Sequence, residues 1–235
     1  MHIPDGFIDP KISYGLMGAA VAVLGYCLHK VKAAVTALAP REAFAAVGRG
    51  VKSLTGKGRR VLTKLGEQKI YLMGMVAALV FAAQMFNFSI DKGTSGHLIG
   101  GVLAVVLLGP FAGTIVIAAV LMVQALFFAD GGLVVMGANI VNMAFFGALL
   151  SYYIYAGLKR YLKEWLSIGI AAWCSVVIAA LAASLEIGLS GTFALGVVMG
   201  SMLKVHAVIG LAEALITVVL IQIFRKVVPI GEGQA

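Results

Sequence analysis

Met1 and His2, the first two residues of the sequence, offer several nitrogen donors within reach of one metal ion. A free Met1 amine, the deprotonated main-chain nitrogen of His2 and the His2 imidazole Nδ1 can chelate an ion in fused rings. Three nitrogens in one plane begin a square-planar site, the geometry that Ni(II) and Cu(II) favour. Residues 1–10 carry Asp5 and Asp9 instead of the basic stretch of a removable signal peptide, so we expect Met1 to begin the mature protein.

His97 is the candidate for the fourth nitrogen, because it lies in the glycine-rich segment 93–101, whose backbone can approach other groups closely. A short helix that begins below the membrane surface would place His97 in a cavity that the amino-terminal segment could plug. His29 lies beside Lys30 and is more typical of a residue that contacts lipid head groups. A chance Met-His start, with histidines that only form hydrogen bonds at the membrane edge, is the alternative explanation.

Ionisable and amide side chains also occur inside apolar stretches, where the bilayer makes them costly unless they are paired or functional. His206 and Glu213 are seven residues apart and share one face of a helix, and Glu186 lies in the preceding stretch. They have either an interhelical structural role or a role in ion passage or subunit coupling. Asn139 and Asn142, one turn apart, either hold helices together or orient a ligand histidine.

The composition determines what kind of protein must position these residues. The chain is 61% hydrophobic and 12% charged, with a mean hydropathy of +1.03. This much apolar surface cannot be buried in one soluble core, so the chain belongs in a bilayer. Cys27 and Cys174 lie in apolar runs without disulfide or zinc-site spacing and are expected to be small core residues.

Seven apolar runs predict an all-α bundle of transmembrane helices that forms a single membrane domain, 1–235. The runs are 12–29, 70–88, 97–109, 111–129, 133–157, 165–187 and 203–224. All except 97–109 approach the roughly 17–25 residues that a bilayer crossing needs. The short run ends at Gly109-Pro110, so it is either a shielded short helix or a re-entrant segment.

The distribution of charge predicts the orientation. Loop 30–69 has ten Lys or Arg residues and two Glu residues, an excess equal to the whole net charge of +8. Such a loop is expected on the cytoplasmic side, against anionic lipid or a cytoplasmic partner, and its placement argues against nucleic acid binding. Residues 1–11 then lie outside as a metal-binding segment. Only seven crossings also put Lys159, Arg160 and Lys163 inside, together with the carboxyl terminus.

Other functions were weighed against metal capture. Residues 50–58 resemble a phosphate-binding loop only loosely, so an ATP-driven process would need an ATPase on another chain. A membrane-embedded hydrolase could use Ser95 or Ser201 near a histidine, but no orienting acid is placed beside them. An ion-coupled secondary carrier that acts alone could use the ionisable residues of the last two spans.

Four segments resemble the CbiM/NikM family, the substrate-capture (S) components of energy-coupling-factor transporters for cobalt and nickel. They are residues 1–7, 93–97, 130–132 together with 137–139, and 206–213. The resemblance implies that Met1, His2 and His97 supply four nitrogens to one transported Ni(II) or Co(II) ion in a near-planar arrangement. Pro4-Asp5 and residues 93–97 are closer to the nickel-type branch, whereas the long basic loop departs from the family pattern.

The resemblance further implies a non-catalytic subunit of the cell membrane with seven helices and its amino terminus inserted from outside. Its expected partners are a transmembrane coupling (T) subunit, a cytoplasmic ATPase pair and often a small accessory membrane subunit. A group of polar residues is expected either to orient the metal ligands or to have a structural role: Ser95, Asn139, Asn142, His206 and Glu213.

Overall fold

The computed structural model describes residues 2–38, 60–85, 88–90 and 94–227, and within these ranges it has seven helices. They are α1 (Pro10–Val35), α2 (Lys64–Gln84), α3 (Gly101–Leu108), α4 (Pro110–Phe127), α5 (Met136–Leu158), α6 (Glu164–Leu189) and α7 (Leu195–Val227). Two short antiparallel pairs accompany them, β1 (Thr36–Leu38) with β2 (Arg60–Leu62) and β3 (Phe88–Ile90) with β4 (Thr94–Gly96). The predicted all-α class is confirmed.

Several predicted boundaries are wrong, because hydropathy marks only the apolar centre of a helix. The second helix begins at Lys64, where Thr63 Oγ1 accepts from Gly66 N at 2.9 Å and caps it. The last helix begins eight residues before the predicted 203, at Leu195. Main-chain hydrogen bonds continue through these polar or glycine-containing ends as readily as through the apolar centre.

The predicted basic loop 30–69 is also shorter than expected. Helix α1 continues to Val35 and α2 already begins at Lys64, so both helices extend into the basic segment. The β1–β2 pair closes the connection, with Thr36 opposite Leu62. Five of the ten basic residues of loop 30–69 fall in 39–59, outside the described residues.

Helix α7 shows how the helices meet lipid. Its buried face carries His206, Glu213 and Thr217, each at most 2% exposed. Its opposite face exposes large apolar side chains, including Val208 at 67% and Leu215 at 68%. An apolar outside and a polar inside suit a hydrocarbon environment, and six of the helices are long and apolar enough to cross it. The chain is a multi-pass membrane protein, as predicted.

Helix α3 is enclosed by its neighbours, and all eight of its residues are buried. Its first residue, Gly101, packs against the main chain of Gly147 in a stretch of α5 that is wound as a π-helix, so a side chain on Gly101 would collide with that backbone and separate the two helices. At about 12 Å, α3 is too short to cross a bilayer by itself. The seven crossings therefore stay a prediction.

The segment 97–109 nevertheless connects two ends of the bundle. Gly109 and Pro110 lie in one cleft with Lys30 and Lys69. We call this end, with Lys159 and Arg225 at the neighbouring helix termini, the basic end. We call the opposite end, where His2 and His97 lie, the histidine end.

Candidate metal centre

The amino-terminal segment is docked into the bundle at the histidine end. Ile3 is fully buried, and the side-chain amide of Asn139 binds its main chain twice. Ile3 N donates to Asn139 Oδ1 at 2.9 Å, and Asn139 Nδ2 donates to Ile3 O at 3.1 Å. Gly132 N donates to the same carbonyl at 3.0 Å. The side-chain amide of Asn139 thus pairs with the main chain of Ile3 as a neighbouring β-strand would, and it fixes the residue next to His2.

Asp5 forms a second anchor for this segment. Its carboxylate accepts hydrogen bonds from Leu133 N, Val134 N and Val135 N, at 2.9 to 3.2 Å, just before α5 begins. Unpaired N–H groups at a helix start favour such a negative charge. Gly132 is required beside it, because a Cβ there would collide with the Asp5 carboxylate.

His2 and His97 meet in the interior of the histidine end although 95 positions separate them in the sequence. Their ring centroids are 4.5 Å apart and the rings are inclined by 34°. Both side chains are buried, with 4% and 1% of their surfaces exposed. The two candidate ligands thus lie close together in the structure, as predicted.

Two side chains hold the chain just after His97. Glu213 accepts from Ile99 N at 2.6 Å and from Gly100 N at 2.9 Å, and Gln84 Nε2 donates to Ile99 O at 2.7 Å. Residues 97–100 are not helical, and irregular backbone inside a membrane protein needs protein partners for its polar groups. Glu213 and Gln84 supply those partners and so set the position of His97.

The hydrogen bonds of His97 determine which nitrogen is free. Its Nδ1 lies 2.6 Å from Leu98 O, and since a carbonyl oxygen only accepts, Nδ1 carries the hydrogen. Nε2 therefore keeps a lone pair, and it has no partner within the described part of the chain. A buried imidazole nitrogen in this state fits a transition-metal ion.

His2 presents its nitrogens differently. Its Nδ1 lies 2.8 Å from Asp130 Oδ1, but the approach is too oblique for a well-formed hydrogen bond. Burial lowers the pKa of the His2 imidazole below its ordinary value, and the Asp130 carboxylate opposes this only in part. The neutral imidazole is the form that binds a metal. An ion at Nδ1 would displace Asp130 from this contact.

The remaining predicted residues have other surroundings. Asn142 joins α5 to α6, because its Nδ2 donates to Glu186 Oε2 at 2.7 Å. His29 is exposed on α1. Met1 and the side chain of Ser95 lie outside the described residues. Within the described ranges, no three or more His, Cys, Asp or Glu side chains form a metal cluster.

The sequence interpretation gave no role to three residues that shape this site. Asp5 and Asp130 lie inside the segments that carry the family resemblance. The sequence motif therefore included both residues but did not show which groups they contact. Gln84 is a fully buried amide at the end of the apolar run that begins at Ile70. Its isolation in that run was the signal that could have singled it out.

Comparison with known sequences identifies a family and several related proteins. A family model described as "Cobalt uptake substrate-specific transmembrane region" (CbiM) matches residues 2–230. A "Putative fused nickel transport protein NikMN" of Archaeoglobus fulgidus is 36% identical over 92% of this chain, which spans only 63% of that relative's length. A "Putative metal transport protein" of Haloquadratum walsbyi is 37% identical over 92% of this chain and 86% of its own.

Solved structures show the same architecture. A crystal structure of a transition metal transporter matches with a TM-score of 0.78 at 30% identity, covering 97% of this chain and 93% of that one. An S-component for biotin from an ECF-type ABC transporter matches with a TM-score of 0.57 at 19% identity, over 71% of this chain and 95% of that one. The second match shows a shared fold alone.

Proposed function

The chain belongs to the CbiM family of metal-transport membrane proteins, and we propose that it captures Ni(II) or Co(II) as the substrate of uptake. The observation that carries this proposal is the pair of buried imidazoles of His2 and His97, whose ring centroids are 4.5 Å apart. Imidazole nitrogen suits both ions.

The proposed donors are His97 Nε2, His2 Nδ1, the His2 main-chain nitrogen and the Met1 amine. His97 Nε2 is free because Nδ1 is engaged with Leu98 O. The three donors of residues 1 and 2 lie on one short chelating segment, which Asn139 and Asp5 hold from its carboxyl-terminal side. A planar set of four nitrogens favours nickel over cobalt, and nickel is also the ion in the name of the Archaeoglobus relative.

Transport would need further chains. We propose a transmembrane coupling subunit, a cytoplasmic ATPase pair and a small accessory membrane subunit as partners. The fold shared with an ECF-type S-component supports this assignment. A carrier that works alone is less well supported, because Glu213 and Glu186 are each already engaged by donors that hold the fold.

The orientation follows from the charges. We place the histidine end outside and the basic end in the cytoplasm, following the positive-inside tendency. A membrane-impermeant thiol reagent added to intact cells should then label Ala194→Cys, which is exposed between α6 and α7, but not Arg160→Cys. Labelling of the second variant alone would reverse the orientation.

Isothermal titration of the untagged protein with Ni(II) and Co(II) tests the function. His2→Ala and His97→Ala should each abolish tight binding, whereas the exposed His29→Ala should bind as the parent does. A chain with extra residues before Met1 should also lose tight binding, because its amine is displaced. Equal binding by the extended chain would remove the amine from the ligand set, and tight binding by His97→Ala would overturn the proposal.

A further inference from the structure

His206 is a third buried imidazole that the proposed capture site does not use. It lies on the buried face of α7 with no exposed surface. Its Nδ1 is 2.8 Å from Met202 O, one turn earlier, so Nδ1 donates and Nε2 keeps a lone pair. Nε2 has no partner among the residues that the structure describes.

The clamp at Glu213 joins the segment that follows His97 to the helix face that carries His206. Glu213 holds Ile99 and Gly100 against the buried face of α7. His206 is seven residues earlier on the same face, about 10 Å nearer the histidine end. Two to three residues lead back from that clamp to His97 and can span about 7 to 10 Å. His97 is therefore within reach of the level of His206.

The packing of the neighbouring hairpin supports this placement. The β3–β4 pair, which ends immediately before His97, packs on α7. The α6–α7 turn is at the same end, because Thr192 Oγ1 donates to Phe7 O of the docked segment at 2.7 Å. The hairpin that leads into His97 therefore packs on the helix that carries His206.

Two buried nitrogens that can only accept require something that takes a lone pair from each. A divalent transition-metal ion does so, and imidazole is among its preferred ligands. On this basis, and resting on the proposed function, we propose that His97 and His206 form a transfer site for Ni(II) or Co(II). The ion reaches this site when the nitrogens of residues 1 and 2 dissociate from it.

The transfer is an exchange of ligands without a redox change. The ion keeps His97 Nε2, leaves the nitrogens of residues 1 and 2, and gains His206 Nε2. The main-chain nitrogen of His2 regains from water the proton that it gave up on chelation. His97 is shared by both sites, so the ion is never without a protein ligand.

Binding of Ni(II) to variants without the amino-terminal chelate tests this site. His2→Ala should retain weak binding through the two remaining imidazoles, and X-ray absorption of its Ni(II) complex should show two imidazole ligands. Adding His206→Leu should weaken that residual binding by about tenfold or more and remove one imidazole from the spectrum. His206→Cys, which keeps a donor atom, should preserve the residual binding. Thr217→Val on the same buried face of α7 serves as the matched control.

The outcomes separate this proposal from the proposed function. In a chain with the native amino terminus, His206→Leu should leave tight binding within about threefold, because the capture ligands are intact. Loss as large as that of His97→Ala would place His206 in the capture site and overturn the transfer site. Unchanged residual binding in His2→Ala with His206→Leu would overturn it too. Tight binding by His97→Ala would instead refute the capture function. His206→Gln, which preserves polarity and size, repeats the test if the leucine variant does not fold.

Discussion

The protein holds its carboxylates in different ways beside the candidate ligands and at the basic end. Beside the His97 segment, Glu213 is 1% exposed and accepts two main-chain N–H groups. At the basic end, the Glu164 side chain is 34% exposed and pairs with Lys159 at 2.9 Å and Arg225 at 2.8 Å. A main-chain acceptor fixes backbone position, whereas an exposed pair of long side chains is screened by water and salt.

This difference matches the demands of the two ends. A metal site needs ligands held to within a fraction of an ångström, and the partners that orient ligands are worth about 10–100-fold in affinity. A membrane-facing or partner-facing basic surface needs only the correct sign of charge. The comparison therefore predicts that metal affinity depends on the polar residues that hold the backbone beside His2 and His97 and is indifferent to those at the basic end.

The largest effect outside the ligands is expected from Glu213→Ala. Its loss leaves two buried N–H groups without an acceptor, each costing about 1–3 kcal/mol, and frees the segment that carries His97. Ni(II) affinity should fall by about 10–100-fold in a titration. Glu186→Gln is the control, because its oxygen can still accept from Asn142 and no bond to the His97 segment is lost. Unchanged affinity in Glu213→Ala would show that His97 is positioned independently of α7.

Asn139→Leu is expected to come next. It removes both hydrogen bonds to Ile3 and leaves, among the described residues, the bond from Gly132 N to Ile3 O. Affinity for Ni(II) should fall by about tenfold, because His2 is no longer held in register. Asn142→Leu, one turn away and bonded to Glu186, should lower the thermal midpoint of unfolding while leaving affinity near that of the parent. Equal losses in the two variants would mean general loosening of α5.

Asp5→Asn should have a smaller effect because the site is exposed to solvent. The amide keeps one accepting oxygen but loses the charge that strengthens the bonds to the start of α5. We expect affinity to fall by about fivefold, since a charged hydrogen bond exceeds a neutral one by about 1 kcal/mol. Asp9→Asn is the matched control, because Asp9 only caps α1 through Lys11 N. A loss in the control equal to that in Asp5→Asn would contradict a specific anchor.

Glu164→Gln should have the smallest effect. It removes the negative partner of Lys159 and Arg225 at the basic end. Stability should change by no more than about 1 kcal/mol, and less at high salt. The Ni(II) affinity should stay the same, as measured in the same titration. A drop of more than threefold would show that the two ends are coupled in the isolated protein.

The sequence alone determined the environment and the candidates. Hydropathy indicated a membrane protein because apolar composition is independent of how helices pair. The amino-terminal Met1-His2 and His97 were recognisable because nitrogen donors are a property of residue type. The centres of the predicted helices were correct because they follow from apolar composition alone. The predicted helix ends were misplaced because capping residues such as Thr63 lie outside the apolar run.

The tertiary structure decided which groups hold the candidates in place. Glu213 reaches Ile99 across 114 positions, and Asn139 reaches Ile3 across 136. Periodicity shows which face of a helix a residue occupies, but not which other helix that face meets. That choice depends on helix rotation and on close contacts such as Gly101 with Gly147. The proposed pairing of His206 with His97 likewise depends on the packing of α7, and no local pattern in the sequence contains it.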